Sequence, residues 1–91
     1  MKYYTIYAWG ECPFCVKAKA FLIEKGHMVQ YVVLDHASDL LKNYKSIYNM
    51  KTVPIIVYKD EDLSIEKVIG GYTDLVEHFS SRSESYNGVD D

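Results

Sequence analysis

The chain has 91 residues, 48% of them hydrophobic and 25% charged, and a formal net charge of −3. That length allows one folded core without a second domain, and the composition is neither that of a disordered chain nor that of a membrane protein. Interspersed charge gives no pull toward nucleic acid or anionic lipid. No apolar run approaches the roughly 20 residues of a spanning helix, and the start lacks a signal-peptide pattern, so a cytoplasmic address is expected.

Met1 to Ala8, "MKYYTIYA", is rich in Tyr, Thr and Ile and reads as a strand. Trp9-Gly10-Glu11 breaks that pattern, and Cys12-Pro13 opens a helix with proline at its first position, where the missing N–H costs nothing. This helix runs to about Lys25 and stops at Gly26. It carries one apolar stripe of Ala18, Phe21 and Leu22 and a second of Val16, Ala20 and Ile23, which points to cover on both sides. "MVQYVVL" (28–34) is nearly continuous in apolarity, as in a strand buried on both faces.

Leu40, Leu41, Tyr44, Ile47 and Tyr48 then recur at helical spacing behind Ser38 or Asp39 as caps. "PIIVY" (54–58) is a strand that starts on proline, "KDEDLS" a turn, and "IEKVIG" (65–70) a further strand. After Gly70-Gly71, Thr73 or Asp74 caps a last helix with Leu75, Val76 and Phe79 inward. Residues 81–91 are small and polar and read as a flexible tail after a domain of residues 1–80. The order β-α-β-α-β-β-α gives an α/β protein: a four-stranded mixed sheet flanked by three helices, the thioredoxin fold.

Both cysteines lie in "CPFC" (12–15), at the junction of first strand and first helix. As a staple, the pair would close a ring too short to restrict the unfolded chain much. A structural zinc needs four ligands, and His27, His36 and His78 have no ligand spacing to one another, so no metal is expected. A redox pair remains. With Cys12 capping the helix, its sulfur faces backbone N–H groups that lack carbonyl partners. The helix dipole favours a thiolate there by up to ~2 kcal/mol, and charge-assisted hydrogen bonds add ~1.5–3 kcal/mol. An exposed Glu11 opposes this by only ~0.7 kcal/mol. Cys12 is thus the nucleophile. Cys15, one turn further in, is the resolving thiol that attacks a mixed disulfide on Cys12, and Pro13 stiffens the turn between them.

Three motifs in this order and spacing mean that the chain resembles a glutaredoxin: "CPFC" at 12–15, "TVP" at 52–54 and "GGYTD" at 70–74. The first is similar to that family's dithiol active site, Pro13 and Phe14 included. The second is similar to its loop ending in a cis-proline, and the third to the stretch that opens its last helix. The resemblance implies glutathione as co-substrate. Lys51, Thr52, Val53 and Pro54 would meet its glycyl and cysteinyl parts, Val53 through its backbone as a short added strand does. Gly71, Tyr72, Thr73 and Asp74 would meet the γ-glutamyl group at a helix N-terminus. There is one departure. Many glutaredoxins carry a lysine three residues before the nucleophile, where Trp9 stands here; contact with protein substrates and plain loop packing are both open for it.

The function so implied is reduction of protein disulfides and glutathione mixed disulfides, with ribonucleotide reductase among the family's clients; a monomer is expected, since no long exposed heptad or edge pattern argues otherwise. A redoxin fed by thioredoxin reductase is the alternative. An iron–sulfur carrier is disfavoured by proline after the first cysteine, and a non-catalytic binding module is the remaining class.

Overall fold

The computed structural model describes residues 1–10 and 12–87, with side chains described as far as Ser80. Its elements are β1 (Lys2–Ala8), α1 (Pro13–Glu24), β2 (Val29–Val33), α2 (Ser38–Ile47), β3 (Ile55–Asp60), β4 (Ile65–Gly70) and α3 (Tyr72–Asn87). The β-α-β-α-β-β-α order expected from the sequence is thus the observed one. The strands form one mixed sheet in the order β2-β1-β3-β4. β1 runs parallel to β2 and antiparallel to β3, and β3 and β4 form a hairpin. A helical crossover is what a parallel β1–β2 pair requires, because a tight turn can only join antiparallel strands.

The alternating pleat of β1 sorts the core onto two faces. Tyr4, Ile6 and Ala8 point to one face, where they pack with Cys15, Ala18 and Leu22 of α1, Ile56 of β3 and Leu75 of α3. Tyr7 points to the other, with Leu34, Leu41, Ile55 and Val57, and Tyr44 and Tyr48 of α2 pack against that cluster. Two helices therefore cover one face and a single shorter helix the other.

Five expectations need correction. The second apolar stripe of α1 is open to solvent: Val16 is 56% and Ile23 54% exposed. The sheet takes one side of α1 and α3 lies beside it, with Phe21 against Phe79, so nothing remains to cover the outer side. β2 is an edge strand and not a doubly buried one; that position leaves Val33 49% exposed. Helix α2 is capped by Ala37 without a side-chain hydrogen bond, and Ser38 and Asp39 lie inside its first turn. In α3 the helix begins at Tyr72, so neither Thr73 nor Asp74 is the cap. Helix α3 also continues to Asn87, and the rest of the expected tail, residues 88–91, lies outside the described residues.

Candidate active site

Cys12 is the N-cap of α1. Its backbone is extended (φ −103°, ψ 107°), Pro13 follows at the first helical position, and the chain turns helical from there. Extended geometry at the cap aims the side chain back over the first turn, where the early amides have no intrahelical acceptor. The Cys15 N–H donates to Cys12 Sγ at 3.3 Å, and the Cys12 carbonyl accepts from the Cys15 and Val16 amides. Cys12 itself is partly exposed. Both cysteines are free thiols. Glu11, expected to oppose the thiolate, lies outside the described residues.

Cys15 lies three residues on, at the head of the inward seam Cys15, Ala18, Leu22. It is fully buried. Burial pushes its thiol up to about 12, and the neighbouring Cys12 sulfur adds to the rise, so it is a neutral thiol at ordinary pH. The two sulfurs are thus unequal by construction: one at a helix end facing donors and solvent, the other inside the aliphatic core.

The other two motifs come to the same place. The Val53–Pro54 peptide is cis, and the Val53 carbonyl faces Cys12, whose thiol approaches it at 3.9 Å. Phe14 packs on Tyr72, ring centroids 5.9 Å apart, which joins the first motif to the start of α3. Gly71 neighbours the Pro54 carbonyl, which an added Cβ would meet at an ordinary contact distance of 3.9 Å. "CPFC", "TVP" and "GGYTD" therefore share one end of the sheet. Pro54 is buried, Val53 half-buried, and Pro13, Lys51, Thr52, Thr73 and Asp74 are exposed around that centre.

The start of α3 is tightly specified. The Leu75 N–H donates to the Gly71 carbonyl, and Asp74 Oδ2 reaches back to accept from the Gly71 N–H at 2.9 Å. Asp74, three residues past the glycine cap, thus makes the back-reaching half of a capping box. Gly70 has φ +120°, and a side chain there would overlap the Asp74 carboxylate. Glycine at position 70 is thus required by the fold before any ligand is considered.

Two residues near the site carried no signal in the sequence. Asp35, at the end of β2, accepts a short hydrogen bond from the Gly10 N–H and occupies the space a Cβ at position 10 would need. It ties the loop before Cys12 to the sheet edge. Lys17 Nζ lies 5.3 Å from the Phe14 ring centre and brings a cation beside the motif from within α1. Trp9 is 37% exposed, and its carbonyl accepts from the Cys12 N–H.

A glutaredoxin family profile matches residues 4–63, more than half of the chain. The chain belongs to the glutaredoxin family. Among solved structures, it is similar to the solution structure of a glutaredoxin from Brucella melitensis, with a TM-score of 0.65 and 20% identity. That match covers 93% of this chain and 86% of the other, and at such identity it speaks for the fold. No curated protein matches the sequence. Membership agrees with the two thiols at positions 12 and 15 and with the thioredoxin-type topology. Among the described residues no group of three His, Cys, Asp or Glu could hold a metal ion, and no helix is long and apolar enough to cross a membrane.

Proposed function

We propose that this glutaredoxin is a glutathione-dependent dithiol–disulfide oxidoreductase acting on protein disulfides and glutathione mixed disulfides. The observation that carries the reading is the inequality of the two sulfurs: Cys12 partly exposed at the N-cap with an amide donor at 3.3 Å, Cys15 buried one turn inside. Cys12 as thiolate attacks one sulfur of the substrate disulfide; the S–S bond breaks and the other sulfur leaves as a thiolate that takes up a proton. Where the substrate is a glutathione mixed disulfide, the peptide thiol leaves and Cys12 carries glutathione. A second glutathione thiolate then attacks that bond, restoring Cys12 and releasing oxidised glutathione. Where the substrate is a protein disulfide, Cys15 attacks the Cys12 sulfur, the protein dithiol leaves, and the 12–15 disulfide is reopened by two glutathiones. Cys15 must lose its proton in that step, which its burial opposes.

Glutathione fits the surface beside Cys12. The Val53 backbone stands next to the sulfur, ready to pair with the cysteinyl part. The N-terminus of α3, with Thr73 and Asp74 exposed, favours the γ-glutamyl carboxylate, and Asp74 retains one carboxylate oxygen for the ammonium group. Lys51 is the cation for the glycyl carboxylate. Proteins with disulfides or bound glutathione in the cytoplasm, ribonucleotide reductase among them, are the proposed clients.

The test uses a glutathionylated peptide and a protein disulfide, each with wild type, Cys12→Ser and Cys15→Ser. Cys12→Ser loses both activities. Cys15→Ser retains the first and loses the second. Full activity of Cys12→Ser on either substrate overturns the proposal. The partly exposed Trp9, in place of a lysine, supports one rival electron donor. Turnover driven by thioredoxin reductase and not by glutathione would assign the chain to that alternative.

A further inference from the structure

At the end of the sheet away from Cys12 lies a cavity of about 350 Å³, within the range of small-molecule sites. Its lining is Lys2 and Tyr4 of β1, His27 after α1, Tyr58 of β3, Lys67 and Ile69 of β4, and His78 of α3. Four of these seven side chains can carry positive charge and none is acidic, in a chain whose net charge is −3. The register explains the clustering. Tyr4 is opposite Tyr58, and Tyr58 opposite Lys67, so two phenol rings and an ammonium stand in one row across three strands. The rings of Tyr4 and Tyr58 are 5.2 Å apart, and His27 stands edge-on to Tyr4 at the same distance.

Nearby negative charge is turned elsewhere. Asp60, opposite Lys2 in the register, is buried and accepts from the Asp62 and Leu63 amides in the β3–β4 turn. Asp62 holds the terminal amino group of Met1, with Lys2 as a second, weaker positive neighbour. The carbonyl end of α1 is closed by the amides of Lys25, Gly26 and His27. Among the described residues, neither Lys2 nor Lys67 is in an ion pair.

We propose that this pocket binds a small organic phosphate that carries a flat ring. The ring lies against the partly exposed Tyr58, which is backed by the buried Tyr4, and the phosphate is held between the two lysines with the histidines at its flank. Aromatic walls favour a planar group, and a doubly charged phosphate gains more than a carboxylate from several converging cations. The lysines of the pocket stand away from the thiols, while Ile69 in its lining adjoins Gly70. Lys2 is six strand residues from Ala8, about 20 Å from the cysteine end at the rise of a strand.

The experiment is a chemical-shift titration of the full reduced chain with adenosine 5′-monophosphate, with inorganic phosphate and adenosine as separate arms. Expected are saturable shifts of Tyr58, Lys67, Ile69 and His78, with each single-part probe binding at least about tenfold more weakly. Lys67→Glu, and Lys67→Ala as the milder change, each weaken the monophosphate at least about tenfold and leave disulfide reduction unchanged. Shifts that fail to saturate in the millimolar range, or that both Lys67 variants reproduce unaltered, overturn the proposal. Inorganic phosphate binding as tightly as the monophosphate overturns its aromatic part.

Discussion

The two faces of the sheet are both apolar, yet they are built to different tolerances. On the α1/α3 face, Ile6, Ile56, Ala18, Leu22 and Leu75 are fully buried, and two helix N-termini come together beside the cis-proline. On the α2 face, only Leu41 of the helix is buried. Leu34, Ile55 and Val57 are buried beneath it, and the helix meets the sheet through a stack of tyrosines: Tyr7 on Tyr44 at 4.2 Å and on Tyr48 at 5.8 Å. The rim of that stack is polar, with Tyr48 donating to Glu66 at 2.9 Å and Lys59 bridging Tyr7 and Glu66. The helix that holds the sulfur is fixed by a fully buried seam of Cys15, Ala18 and Leu22. A helix that only covers the sheet is held by rings and a polar edge.

Truncation on the two faces breaks or sharpens that contrast. Leu22→Ala removes a fully buried side chain from the seam that also seats Cys15, and should cost ~2–5 kcal/mol in a denaturant titration. Tyr44→Ala opens a half-buried, stacked position and should cost roughly 1–2 kcal/mol while leaving disulfide reduction near wild type. Equal losses of stability at both positions would contradict the difference in tolerance.

Smaller still is Tyr48→Phe, which keeps the stack and removes the hydroxyl that Glu66 accepts from. A loss of roughly 0.5–1 kcal/mol is expected in the same titration, because that pair lies at the solvent edge. The pH dependence of stability separates the faces again. Cys15 has a folded value pushed up to about 12 from 9.0, so the native state holds that proton more tightly than the unfolded chain. Its contribution is full below about 9 and fades as pH rises through that window. Denaturant midpoints of the reduced protein should therefore fall more steeply above about pH 9 in wild type than in Cys15→Ala. Identical slopes would mean that Cys15 is not shielded.

The strand and helix order, the position of Cys12 at a helix start and the three site motifs were legible because each rests on local chemistry: β-branched alternation, proline at a first helical turn, glycine pairs. What stayed hidden was tertiary. The apolarity of 28–34 looked like that of a central strand, but strand order places β2 at the edge, and no local pattern encodes order. The outer stripe of α1 looked coverable, but the fold supplies no third layer. At Thr73-Asp74 two good capping residues misled, since the chain caps α3 with Gly71 and uses Asp74 from inside the helix. The tie from Asp35 to Gly10 spans 25 residues, and its geometry could not be read before the strands were placed.

The central claim is that one sulfur is presented at a helix end and the other kept inside the core. Brief alkylation of the reduced native protein with iodoacetamide, followed by mass-spectrometric mapping, tests it most directly. Carbamidomethyl should appear on Cys12 first, with Cys15 modified only after the chain is unfolded. Equal labelling of both cysteines in the native state, or labelling of Cys15 ahead of Cys12, would contradict the account.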